Sequence, residues 1–199
     1  IGVMSAAGLN AEEAEERLQQ PEFNKVYLAG INSHRGITLA GSPDQLTALE
    51  TLLESQKTFN VRLPLDYAFH SPVMDPIHTD LLNSLAGLAP QPTEIPFIST
   101  VTGTPLSGES LDASYWWNNI RQPVLFKQAL DLLIEQQNNC FIEIGAHPIL
   151  RNYIQDQVRE NNAEAAIIPT LSKKAGDLAE LEQCAAATTS EVTVCTVEL

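Results

Sequence analysis

The stretch Lys25-Val26-Tyr27-Leu28-Ala29-Gly30-Ile31, Asn32-Ser33-His34-Arg35, Gly36-Ile37-Thr38-Leu39-Ala40 reads as a hairpin, with two alternating apolar runs around a polar turn. A strand and a helix precede it, and a helix and a strand follow. Before it, the small apolar run Gly2 to Ala7 is strand-like, and Asn10-Ala11-Glu12-Glu13 supplies a helix N-cap with an acid three residues on. The helix that follows turns Leu9, Ala14 and Leu18 inward and its glutamates outward, and Pro21 stops it. After the hairpin, Ser42-Pro43 opens a second helix with proline at its first helical position, striped by Leu46, Leu49, Leu52 and Leu53. Phe59 to Leu65 is a fourth strand. The order strand–helix–strand–strand–helix–strand is the split βαβ pattern of a ferredoxin-like sandwich.

Beyond about Tyr67 the pattern changes. Ser71-Pro72 starts a helix expected to reach Leu85, Ile95 to Val101 is an apolar strand, and Ser114 to about Gln136 reads as a helix bent or interrupted at Pro123. Cys140 to Ile144 is a near-continuous apolar run, the pattern of a strand covered on both faces. Pro148 then heads a helix to about Arg159, and Ile167-Ile168-Pro169 is a further short strand. Alternating strands and helices of this kind build a parallel α/β sheet. The expected division is 1–66 for the small sandwich, 67–174 for the α/β portion and 175–199 for a linker or tail. In that tail a short helix precedes Val192, Val194 and Val197, which could pair as a strand.

Of the 199 residues, 44% are hydrophobic, enough for a core, so disorder and a disulfide-stapled mini-protein are excluded. Eleven bases against 25 acids give a net charge of −14. That balance argues against non-specific nucleic-acid binding and against docking on an anionic membrane. No apolar run approaches the ~20 residues of a membrane helix. Cys140, Cys184 and Cys195 are odd in number and lack CxxC spacing, which reads as reduced cysteines in a cytoplasmic protein with no zinc site. The start Ile1-Gly2-Val3-Met4 reads as a piece of a longer chain.

Sequence motifs for a serine elbow, a zinc protease helix, a Walker loop and a dinucleotide loop are all absent. Among four histidines, His34 sits in a polar turn and is expected to be solvated, and His78 lies on the outer side of its helix. His70 ends Leu63-Pro64-Leu65-Asp66-Tyr67-Ala68-Phe69 at an element boundary, where it is either a half-buried structural imidazole or a group poised for acid–base work. His147, in Gly145-Ala146-His147-Pro148, follows the apolar strand and is either a helix cap or a ligand-facing group at the strand's carboxyl end. Trp116, Trp117 and Arg121 read as a core anchor with an acid partner for the arginine. Cys140 as a hydrolase nucleophile is disfavoured by its place in a buried strand.

Several of these segments, in order, resemble one family. They are Gly2-Val3-Met4-Ser5-Ala6-Ala7-Gly8, Ile31-Asn32-Ser33-His34, Tyr67-Ala68-Phe69-His70-Ser71-Pro72-Val73-Met74-Asp75-Pro76, Tyr115-Trp116 with Asn119-Ile120-Arg121-Gln122-Pro123-Val124-Leu125-Phe126, and Glu143-Ile144-Gly145-Ala146-His147-Pro148-Ile149-Leu150. Together they resemble the acyltransferase domain of modular polyketide synthases, related to malonyl-CoA:acyl-carrier-protein transacylase, over roughly residues 1–175. The resemblance implies a ferredoxin-like subdomain joined to an α/β-hydrolase-like core, of which this chain would hold the C-terminal part. It implies ping-pong transfer of an acyl group from coenzyme A to the phosphopantetheine thiol of an acyl-carrier protein, without a permanently bound cofactor. Its implied partners are that carrier, the neighbouring ketosynthase and linker of the same synthase, and malonyl-CoA as substrate. His70 matches the general base, and Asn119, through side chain or backbone, matches the group that orients its imidazole. The family's serine elbow and substrate arginine would lie upstream, leaving this chain alone inactive. Tyr67 and Phe69 match positions associated with extender choice. Tyr-Ala-Phe-His is a hybrid of the family's malonyl pattern, His-Ala-Phe-His, and its methylmalonyl pattern, Tyr-Ala-Ser-His, and the bulk of Phe69 favours malonyl. The rival expectation is a non-catalytic docking module that kept the fold.

Overall fold

A computed structural model describes residues 2–171, 186 and 196–198. Contacts divide the chain after Ala129, with one unit running to that residue and taking in the short strand at 196–198, and the other beginning at Leu130.

The first unit opens with β1 (Val3–Ala7), α1 (Ala11–Leu18), β2 (Val26–Ser33), β3 (Gly36–Gly41), α2 (Pro43–Ser55) and β4 (Asn60–Arg62). The sheet order is β2-β3-β1-β4, and all its pairings are antiparallel. This is the split βαβ arrangement expected from the hairpin and its flanks. Asn10 makes the full capping box, receiving the Glu13 N–H at 2.7 Å while its own N–H donates to the Glu13 carboxylate at 3.1 Å. One sheet face packs under the helices through Leu9, Ala14, Phe23, Val26, Ile37, Leu39, Leu46, Leu49 and Leu53. Side chains alternate between faces along a strand, so Met4, Ala29 and Ala40 fall on the other side, where Ala68 joins them. Small residues there let the chain beyond β4 lie directly on the sheet. A Cβ at Gly2 would sit 2.5 Å from that of Ala68, and one at Gly41 would sit 2.1 Å from the Lys25 carbonyl oxygen.

The rest of this unit holds a 3-10 segment at Pro72–Ile77, α3 (His78–Ser84), β5 (Phe97–Ser99), β6 (Thr104–Pro105), α4 (Ala113–Arg121) and the start of α5 (Phe126–Glu135). The helix expected from Ser71 to Leu85 therefore begins as a tight 3-10 turn, because Pro76 has no N–H to give an α-helical ladder. The helix expected over 114–136 is two helices. Pro123 forces Gln122 into extended backbone (φ −86°, ψ 156°), and the freed segment pairs with the outer edge of β2. There the Ile31 N–H donates to the Val124 carbonyl at 2.8 Å, and the Val124 N–H donates to the Ala29 carbonyl at 2.9 Å. The strand expected over Ile95 to Val101 is confined to Phe97–Ser99. It pairs antiparallel with β6 and parallel with β9 (Thr196–Glu198), so Val197 is in a strand while Val192 and Val194 lie outside the described residues.

The second unit holds the remainder of α5, β7 (Cys140–Glu143), α6 (Arg151–Glu160) and β8 (Ala166–Pro169), with β7 and β8 paired in parallel. Leu130, Leu133, Ile154 and Val158 are buried at helical spacing. The expectation that β7 is covered on both faces is corrected. Glu143 is buried, but Ile142 is 37% exposed and Ile144 is 87% exposed, and among the described residues only β8 pairs with β7. The helix expected from Pro148 starts at Arg151. Its N-terminal amides at Ile149 and Leu150 donate to Glu143 Oε1 at 2.7 and 2.9 Å, a carboxylate at the positive end of the helix.

Candidate active site around His70

The segment Leu63 to Ser71 is tied down step by step. The Leu63 N–H donates to the Met4 carbonyl at 2.9 Å, Ala68 is fully buried against the sheet, and the Ser71 hydroxyl donates to the Ala68 carbonyl at 2.6 Å while capping the following 3-10 turn. Between these anchors His70 adopts the left-handed backbone region, at φ 59°. A non-glycine residue there costs of order 1 kcal/mol or more and is kept only where its surroundings enforce it. The enforcement comes from the end of α4. The His70 N–H donates to the Ile120 carbonyl at 2.8 Å, and its ring Nδ1 lies 2.8 Å from the Gln122 carbonyl oxygen.

A carbonyl only accepts, so Nδ1 carries the proton and the neutral imidazole leaves Nε2 as a bare acceptor. Burial pushes the imidazole below its ordinary value near 6.5, and the hydrogen bond to Gln122 offsets that only in part. The ring is thus neutral, oriented and basic at one defined atom near neutral pH.

The orienting group is the main chain of Gln122, which corrects the assignment of that position to Asn119. Asn119 lies half-buried on α4, three residues earlier. The displacement follows from Pro123, because the helix must end before it and its last carbonyls lose their intrahelical donors. An X-Pro step closing a helix is the one sequence signal that marks this carbonyl. Its position is fixed in turn by the pairing of Val124 with β2 and by the Leu125 N–H, which donates to the Thr100 carbonyl at 2.7 Å.

Tyr67 and Phe69 are brought to the same place. Their ring centroids are 4.5 Å apart, and Phe69 is 6.2 Å from the His70 ring. Phe69 also packs on the apolar cluster of Met4, Ala29, Ala40 and Ala68. Arg121 has the expected acid partner, Asp75, at 2.6 Å, which fastens α4 to the 3-10 turn. His78 is half-buried and packs its ring at a tilt against that of Trp117, with centroids 4.5 Å apart, and His34 is half-buried too. His147 is exposed on the β7–α6 loop of the second unit. That loop is braced where the Gly145 N–H donates to the Thr170 hydroxyl at 3.1 Å. Cys140 is a free, partly buried thiol, while Cys184 and Cys195 lie outside the described residues. Among the described residues no cluster of His, Cys, Asp and Glu could hold a metal ion, and no helix is long and apolar enough to cross a membrane.

The family model described as acyl transferase domain matches residues 2–194. Erythronolide synthase EryA2 of Saccharopolyspora erythraea is 31% identical over 89% of the chain, and the mycoketide-CoA synthase of Mycobacterium tuberculosis is 33% identical over 89%. These matches span 5% and 4% of those much longer proteins. Among solved structures, the acyltransferase domain from module 8 of the salinomycin polyketide synthase superposes with a TM-score of 0.90 at 33% identity, covering 97% of this chain and 46% of that one. A malonyl CoA-acyl carrier protein transacylase from Clostridium perfringens shares the fold, with a TM-score of 0.78 at 20% identity.

Proposed function

The chain belongs to the acyl transferase domain family, and from that premise we propose that it supplies the general base and the acyl-selecting wall of a polyketide-synthase acyltransferase. The observation that carries this reading is the neutral, doubly anchored His70, whose Nδ1 proton is committed to Gln122 and whose Nε2 is left free.

In this reading a serine from the rest of the domain lies against His70 Nε2. The imidazole takes the hydroxyl proton as the serine oxygen attacks the thioester carbonyl of an acyl-CoA. The tetrahedral intermediate collapses, the C–S bond breaks, and the imidazolium returns the proton to the departing coenzyme A thiolate. In the second half, the carrier protein's pantetheine thiol gives its proton to Nε2 and attacks the serine ester. The ester C–O bond then breaks and the serine recovers the proton. No carboxylate is needed behind the histidine, because a carbonyl fixes the tautomer and orientation as well as an acid would. The carrier protein and the neighbouring domains of the synthase are the partners this reading requires, and it requires no permanently bound cofactor.

Malonyl is the favoured extender. The Phe69 ring, wedged between Tyr67 and the alanine-rich sheet face beside His70, occupies space that an α-methyl branch would need. One methyl in an apolar pocket is worth about 1–3 kcal/mol of discrimination. A competition of malonyl-CoA against methylmalonyl-CoA, with transfer to the synthase's carrier protein, should favour malonyl by about 10-fold or more. Equal transfer of both would overturn the extender assignment, and transfer to neither would overturn the reaction.

A further inference from the structure

We propose that Met4, on β1 and distant in sequence from the histidine motif, is a positioning residue for extender choice, setting how far the Phe69 ring stands out from the sheet. The inference rests on the reading of Phe69 given above. Phe69, like Leu63 and Leu65, packs against a cluster of four buried residues, Met4, Ala29, Ala40 and Ala68. Three of these carry a single methyl and are at most 1% exposed, so they form a rigid floor. Met4 alone has rotatable length, and an unbranched thioether is the side chain that adapts to fill an irregular gap. Its backbone is fixed by pairing with Ala40 and by the Leu63 N–H on its carbonyl. Changing Met4 therefore alters the support under the ring and leaves the strand in place.

His70 is held independently of that support. Its N–H and its ring are bonded to Ile120 and Gln122 at the end of α4. A shorter side chain at position 4 would let Phe69 sink toward the sheet and open space beside the acyl α-carbon, while the base stays where it is. Selectivity and rate are thus set by separate contacts.

The test compares M4A, M4V, M4L and F69S in the acyltransferase domain that carries this chain, using the methylmalonyl-to-malonyl ratio of kcat/KM. F69S should raise the ratio. M4A should raise it by about tenfold, the lower end of what one methylene is worth in an apolar pocket, with malonyl turnover little changed. M4L, which keeps the volume, should return it to the parent value. A merely structural role for Met4 would lower both substrates together and leave the ratio where it was. If F69S moves the ratio and M4A does not, the assignment of Met4 is wrong. If F69S itself leaves the ratio unchanged, the reading of Phe69 fails first and Met4 falls with it. Should M4A not fold, M4V removes less volume and decides on the same readout, an unchanged ratio again counting against Met4.

Discussion

Replacing His70 with alanine should slow acyl-enzyme formation from malonyl-CoA by about 10²–10⁴-fold if it is the general base proposed above, the usual contribution of such a group. In the proposed reaction the loss should fall on the chemical step, because there the side chain takes the proton that moves and does not hold the acyl chain. The pH profile of the parent enzyme carries the second half of the expectation. The working form is the neutral imidazole, and burial holds its pKa below the ordinary value near 6.5. Activity should therefore persist as pH falls through 6.5 and decline only below it, and the acid limb should vanish in His70→Ala. Rapid-quench measurement of the acyl-enzyme across pH reads both. An acid limb centred above 6.5 would contradict the burial argument.

The second large effect concerns stability. Glu50 on α2 accepts the Arg62 Nε at 2.8 Å and Nη2 at 2.6 Å, and it also accepts the hydroxyl of the buried Ser5. Arg62 additionally donates to the Thr47 hydroxyl at 3.0 Å. One carboxylate thus fastens β1, β4 and α2 together at the edge of the small sheet. Removing one member of a fully buried pair costs 3–5 kcal/mol, and partial exposure of Arg62 reduces that to about 2–3 kcal/mol for Glu50→Ala. A loss of that size lowers Tm by about 5–10 °C for a chain of this length. Burial by itself raises the Glu50 pKa, but the hydrogen bonds from Arg62 and Ser5 and the guanidinium charge outweigh it and hold the carboxyl below 4.5. With the folded-state value depressed, the contribution is complete above the unfolded value and is lost as pH falls through the folded one. Thermal unfolding of parent and variant should differ fully at pH 7 and converge only as the pH falls below the depressed folded-state value of Glu50. An equal difference at pH 7 and below that value would mean that Glu50 acts through packing and not through its charge.

The small sandwich was legible because its signals are local. Asn10 and Glu13 cap a helix through their own side chains, Pro43 starts one, and the period-two alternation around the 32–35 turn defines the hairpin. The place of His70 at an element boundary was legible from the run that precedes it and the Ser71-Pro72 turn that follows. Gln122 was not, because its contribution is a main-chain carbonyl, which no side-chain pattern announces. The family resemblance put that group at Asn119, through side chain or backbone, three residues before the carbonyl that the ring bonds. The only local hint was Pro123, whose missing N–H ends α4 and sends the next residues to the β2 edge. Likewise, the apolar run at Cys140 to Ile144 describes which residues prefer burial, and not which elements among the described residues pack on them. Ile144, 87% exposed, is the residue where those two questions part.

The central claim is acyl transfer through a covalent intermediate that His70 helps to form. Intact mass measurement of the acyltransferase domain carrying this chain, mixed with malonyl-CoA, tests it most directly. The expected species is heavier by one malonyl group, forms quickly in the parent and slowly in His70→Ala, and disappears when carrier protein is added. A parent enzyme that acquires no adduct, or a His70→Ala enzyme that acquires it at the parent rate, would contradict the account.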